Sequence, residues 1–198
     1  MWLGLRSVLT VLAVLVVFAP DADADLGLIA LADGRPLTLA EAVPILRSQR
    51  VVLVGEEHTH PGLHRAQLEI IRALADAGAT IAVGLEMFRR DSQPALDRWV
   101  AGEIPAGAFE RIYLANWGYP WEAYRAIFEL ARDRRIPMIG LNVPPEIARQ
   151  VARGGFQSLS ETQRGALSDV TCSVDEEYMR FIRRAFGAHA HGHGNFTF

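Results

Sequence analysis

The sequence predicts an α/β protein: a parallel-sheet core flanked by helices, with its site at the carboxyl ends of the strands. Three observations carry this reading. Val51–Gly55, Thr80–Met87 and Pro137–Asn142 are near-continuous apolar runs, the pattern of parallel strands buried on both faces. Amphipathic stretches lie around and between them, so strand and helix alternate along the chain. Each run also ends in polar residues, and open parallel sheets place their ligands at that edge.

The elements follow in order. Met1–Arg6 carries one positive charge, Ser7–Phe18 is apolar, and Ala22-Asp23-Ala24 fits an A-x-A cleavage site. Residues 1–24 therefore read as a signal peptide, with a periplasmic or secreted mature protein beginning near Asp25 and forming one domain, 25–198. An uncleaved N-terminal anchor is the alternative, although the run is short of the roughly 20 residues a membrane span needs. Leu28–Ala32 and Arg35–Leu37 flank the turn signal Asp33-Gly34. Thr38-Leu39-Ala40-Glu41 is a capping box opening a helix to about Arg47. Pro61 opens a helix that Gly78 ends. Further helical stretches span Ser92–Ala101, Ala106–Leu114, Pro120–Arg135, Pro145–Arg153 and Val174–Phe186.

Composition narrows the chemistry. With 198 residues, 50% apolar and 22% charged, the chain can form a globular domain with its own core. A net charge of -3 gives no reason to expect a nucleic-acid partner. All 20 basic residues are Arg, which excludes Schiff-base chemistry on a lysine. Cys172, the only cysteine, excludes an internal disulfide and a thiolate metal cluster, and reads as a small buried hydrophobe.

The first apolar run leads into Gly55-Glu56-Glu57-His58-Thr59-His60, the second ends Gly84-Leu85-Glu86 and the third Gly140-Leu141-Asn142. If the first strand stays extended, Glu56, His58 and His60 project to one side. His64, in the first turn of the next helix, can reach back over the same cleft. The helix N-terminus disfavours an added positive charge there, and a neutral imidazole is the form that binds metal or acts as a base. Glu56, His58, His60, His64 and Glu86 are thus the candidate metal set. The plainer alternative is that a carboxylate beside a helix N-terminus accepts free backbone N–H groups, but three His and three Glu converging from two strand ends favour a site.

Two more features stand out. His189-Ala190-His191-Gly192-His193 reads either as a metal-binding tract or as a disordered tail. Asn116-Trp117-Gly118-Tyr119-Pro120-Trp121, with Tyr124 and Phe128, is core or the wall of a site for a flat apolar ligand. No phosphate loop and no G-x-S-x-G elbow occurs.

In this order the motifs resemble the ChaN-like haem-binding family. Gly55-Glu56-Glu57-His58 is followed by His64 with Gln67, then Gly84-Leu85-Glu86-Met87, then Gln93, Leu96, Asp97 and Gly102. Trp117 with Pro120-Trp121, Leu141-Asn142-Val143-Pro144, Tyr178 and the stretch from His189 to Asn195 complete the likeness. The resemblance implies export and binding of haem iron, with iron uptake or handling as the role. Haem is then the cofactor, with a homodimer and iron-uptake machinery as partners. His58, His64, Tyr119, Tyr178, His189 and His191 are the candidate haem-binding residues, since imidazole or phenolate can ligate the iron. It also implies distant kinship with erythromycin esterases and Tiki-type metalloproteases. That kinship supplies the alternative: a metal-assisted hydrolase, esterase or protease, using a divalent metal, with His58 as base and Glu56 or Glu86 orienting it. Family members continue further than Phe198, so the resemblance implies a domain incomplete at its carboxyl end.

Overall fold

The computed structural model describes residues 14–17, 26–167 and 176–189. They fall into two compact units, Met1–Pro144 and Pro145–Phe198. The protein is a helix-rich α/β structure in which a small parallel sheet is flanked by helices.

The first unit begins with an antiparallel sheet in the order β1 (Val14–Val17), β2 (Gly27–Ala30), β3 (Arg35–Leu37). The β2–β3 turn falls at Asp33-Gly34 as expected, with Gly34 at φ 73°, a left-handed position that a side chain would strain. Thr38 and Glu41 form the reciprocal capping box that opens α1 (Leu39–Arg47). Pro61, at the first helical position, opens α2 (Pro61–Asp76). The inner faces of these elements meet in a cluster built from Leu28, Leu37, Leu46, Ile70 and Leu74. Hydrophobic burial of this kind, about 1.5–3 kcal/mol per large side chain, is what holds the short strands in place.

The second cluster sits on the parallel sheet. β4 (Val83–Arg89) and β5 (Met138–Asn142) pair in parallel, with Gly84 beside Ile139 and Leu85 beside Gly140. Helices α3 (Gln93–Val100), α4 (Ala106–Asn116) and α5 (Trp121–Asp133) bring Trp99, Phe109, Tyr113 and Phe128 onto its buried face. Gln93 closes the outer edge of β5: its Nε2 donates to Met138 O at 2.8 Å and its Oε1 accepts from Gly140 N at 3.0 Å. The amide thus occupies the place of a neighbouring strand and satisfies backbone groups that an edge would leave open.

In the second unit, α6 (Pro145–Gly154) packs on a 3-10 turn at Phe156–Ser158. The sequence pattern did not anticipate α7 (Glu161–Ala166), although Ser160 and Gln163 form its capping box. The last element is α8 (Glu176–His189).

One expectation fails. Val51–Gly55 is extended in sequence character, yet residues 51–57 carry no strand pairing. Val52 and Val54 pack on the first cluster, while Val51 and Leu53 are 66% and 85% exposed. Burial on both faces therefore does not occur. On the paired strands, too, Gly84, Glu86, Ile139 and Leu141 are exposed. A β-branched run favours an extended chain, but a ladder needs a partner strand, and that lies outside the run's own sequence.

The two glycines of the ladder, Gly84 on β4 and Gly140 on β5, differ in kind. A Cβ on Gly140 would lie 2.7 Å from Arg89 O and 3.1 Å from Phe88 O, both backbone atoms of β4. On Gly84 it would meet only the end of the Leu141 side chain at 2.8 Å, on the exposed face. Gly140→Ala is therefore expected to cost about 1–3 kcal/mol or more, and Gly84→Ala less than about 1 kcal/mol. Urea midpoints of the two variants check this. Equal losses would contradict the ladder described here.

Candidate functional site

Three elements converge on one cleft. The extended segment 51–57 delivers Glu56 and the turn after it His58, the N-terminal turn of α2 delivers His64, and the loop before α5 delivers Tyr119, with Trp117 packed against His58. That loop is tied to the carboxyl end of β4: Arg89 N donates to Asn116 Oδ1 at 3.2 Å, and the Arg89 guanidinium to Ala115 O at 3.1 Å. Ser92 Oγ reaches the same Asn116 oxygen at 3.0 Å.

Glu56 is the hub. Its side chain is only 10% exposed, and Oε1 accepts from His58 Nδ1 at 2.6 Å and from the Tyr124 hydroxyl at 2.6 Å. The other oxygen, Oε2, faces His64 Nε2 at 3.3 Å. That contact lacks hydrogen-bond geometry, so both atoms are buried without a hydrogen-bond partner. We read it as an electrostatic contact in which a directed bond is missing. Unsatisfied buried polar atoms are costly and cluster where a site awaits a ligand or water.

Aromatic rings fix the imidazoles. His58 lies edge-on to Trp117, with centroids 5.1 Å apart, and is tilted against Tyr119 at 4.7 Å. His64 packs on Tyr124 at 4.3 Å. Tyr124 is fully buried, and its phenol is pushed well above the ordinary value of 10, first by burial and then by its bond to Glu56. Trp117 pulls weakly in the opposite direction from close by, without the geometry of a hydrogen bond. Tyr124 is thus a neutral donor to Glu56. Burial, with the charge of Glu56 second, raises Tyr113 as well.

The cleft has a volume of about 560 Å³. One wall is the face of α2 carrying Pro61, His64, Arg65 and Leu68; the other is Tyr119 with the first turns of α5. Four positions spaced i, i+3, i+4, i+7 make one helical face. Arg65 and Leu68 were missed by sequence reasoning, although the periodicity that placed His64 places them too.

The remaining candidates fall elsewhere. His60 occupies the N-cap position of α2 and is exposed. Glu86 is exposed on β4 and does not line the cleft. No group of three or more His, Cys, Asp or Glu among the described residues is arranged to hold a metal ion. The Tyr178 and His189 side chains, and His191, His193 and Cys172 altogether, lie outside the described residues. Of the aromatic stretch, Trp121, Tyr124 and Phe128 are core, whereas Tyr119 walls the cleft.

A parallel-sheet fold with an imidazole–carboxylate pair beside an apolar, aromatic-walled cleft defines an α/β protein with a candidate small-ligand site. The family described as haem-binding uptake, Tiki superfamily, ChaN matches residues 42–197, and the chain belongs to it. Among solved structures, the fold is similar to that of cofacial haem binding to ChaN of Campylobacter jejuni, with a TM-score of 0.64 and 18% identity. The match covers 86% of this chain and 66% of that one, so the chain spans a little under two thirds of the neighbour's length. A search of curated proteins finds no match.

Proposed function

We propose that this protein binds haem in the cleft between α2 and the loop before α5, as an exported component of iron uptake or handling. The observation that carries the reading is His58, whose Nδ1 is held by a buried carboxylate while its ring lines an apolar cleft. The residues present fit the group. Pro61, Leu68, Ala123 and Ile127 would meet the macrocycle, His58 or Tyr119 would face the iron, and Arg65 lines the same cleft. The volume lies in the range of about 300–1,000 Å³ typical of small-ligand sites. Haem would supply a redox-active iron; the chain supplies the slot, the donor atom and the exclusion of water.

Titrating haemin into the purified protein is expected to shift the Soret band and to saturate at a defined ratio. A spectrum identical to free haemin at every ratio would rule this reading out. A homodimer and transfer to uptake machinery extend it, and sedimentation with and without haemin tests the first. Export rests on residues 1–24. Cleavage after Ala24 would remove β1, one of the two edge strands of its sheet, and leave β2 paired with β3. No helix among the described residues is long and apolar enough to cross a membrane.

The 2.6 Å contact between His58 and Glu56 also favours a second reading, a hydrolase with His58 as general base. In that case His58→Ala would lower turnover about 100-fold or more. A panel of esters and peptides hydrolysed no faster than in buffer, with and without divalent metal, excludes it.

A further inference from the structure

We propose that Tyr124 and Glu56 form a proton-coupled redox pair: a one-electron oxidant in the cleft takes an electron from the Tyr124 phenol while its proton passes to Glu56 Oε1. On the haem reading, haem acted on by a hydroperoxide is such an oxidant, but the pair itself stands on geometry alone.

Two chemical requirements pick out the residue. A phenol gives up an electron readily only when its proton leaves with it, because the phenol radical cation is a strong acid and a bare charge in a core is costly. The acceptor must therefore already lie within hydrogen-bond reach. Tyr124 meets both: its ring is fully buried, and its hydroxyl donates to Glu56 Oε1 at 2.6 Å, the length of a charge-assisted bond. Burial and that bond keep the phenol protonated until it is oxidised. The electron has a short way to go, since the Tyr124 ring lies 4.3 Å from that of His64, which lines the cleft.

The aromatic neighbours each lack something. Tyr113 is as deeply buried, with its ring 6.2 Å from that of Tyr124, but its hydroxyl has no hydrogen-bond partner among the described residues. Oxidised, it would strand a positive charge in the core. Trp117 likewise holds a buried indole N–H without an acceptor. Trp99 donates to Phe128 O at 2.8 Å, but a carbonyl is a far weaker base than a carboxylate, and the Arg132 guanidinium 4.4 Å from the ring repels positive charge there. A hole that reaches this cluster therefore comes to rest at Tyr124.

The step balances within named groups. The oxidant gains one electron, the Tyr124 O–H bond breaks, and an O–H bond forms on Glu56, which becomes a neutral carboxylic acid. Reversal takes one electron from a soluble donor such as ascorbate, and the proton returns from Glu56. Repeated, the cycle drains oxidising equivalents from the cleft and spares its ligand and the His58 imidazole.

The test uses the whole chain carrying Tyr119→Phe and Tyr178→Phe, which leaves Tyr113 and Tyr124 of the four tyrosines. Without haem, flash-generated tris(bipyridyl)ruthenium(III) serves as the oxidant. Electron paramagnetic resonance of the frozen sample should show a neutral tyrosyl radical, lost on adding Tyr124→Phe and kept on adding Tyr113→Phe. Glu56→Gln keeps the size and an acceptor oxygen but not the base, and should slow radical formation about 100-fold. As the radical forms, the infrared difference spectrum of the parent should gain the C=O band of a carboxylic acid, a readout that holds even where Glu56→Gln fails to fold. Loaded with haemin and given hydrogen peroxide, the parent should form the same radical, and its Soret band should bleach more slowly than that of Tyr124→Phe.

A tyrosyl radical that persists in Tyr124→Phe, or that forms without the carboxylic acid band, overturns the proposal. So does an unchanged rate in Glu56→Gln. A radical that ruthenium produces but bound haemin with peroxide does not would overturn the route from the cleft. Haemin whose Soret band never moves refutes the haem reading instead, and the ruthenium result then decides the redox pair by itself.

Discussion

Trp99→Ala is expected to leave the first unit unfolded, or close to it, at room temperature. Trp99 is fully buried and stacks on Phe109 with centroids 4.3 Å apart, while its indole N–H donates to Phe128 O at 2.8 Å. Arg132 covers the ring at 4.4 Å. Deleting a buried tryptophan costs about 3–5 kcal/mol through lost transfer energy and the cavity left behind. Each aromatic pair adds about 0.5–1.5 kcal/mol beyond area burial. Since a whole domain is stable by only about 5–15 kcal/mol, this single change uses up a large share. Arg132→Ala, which removes only the cation above the ring, should cost about 0.5–1 kcal/mol. Urea denaturation followed by circular dichroism measures both. A Trp99→Ala midpoint near that of Arg132→Ala would mean that Trp99 is not at the centre of the core.

The features legible in the sequence are those set by neighbours along the chain. Thr38 and Glu41 satisfy each other's backbone groups three residues apart, so the cap of α1 can be read directly. Pro61 and the turn at Asp33-Gly34 are equally local, and helix limits follow within a few residues. Pairing is different. Val51–Gly55 has the composition of a central strand, but whether it joins a ladder depends on what lies beside it in space. The observed parallel pair instead joins residues more than fifty positions apart, Val83 with Met138.

The candidate site divides along the same line. Glu56 and His58 are two residues apart and His64 is one turn into the next helix, so their convergence could be anticipated from spacing. Glu86 could not be judged that way: its strand presents it on the exposed face. The sequence leaves Tyr124 open between core and the wall of a site, and its ring is core. Only the tertiary fold brings its hydroxyl to Glu56. A buried phenol at the edge of a polar cluster is the signal to look for, because a tyrosine in a core needs a partner for its hydroxyl.

Closing the cleft from its solvent side should abolish haemin binding without touching the core. Ala126 is exposed on α5 and lines the cleft, whereas Phe128, two positions on, is fully buried in the core. Ala126→Trp therefore puts an indole into the space the macrocycle needs. The helix pays no packing penalty, and the change in intrinsic propensity is at most about 0.7 kcal/mol. Haemin affinity is expected to fall at least about tenfold, or about 1.4 kcal/mol. Ala126→Ser, which adds one oxygen and leaves the cleft open, should bind almost as the wild type does. Matching urea midpoints for the three proteins would tie the loss to occlusion. Unchanged affinity in Ala126→Trp would place haem outside this cleft and turn attention to the histidines beginning at His189 as its donors.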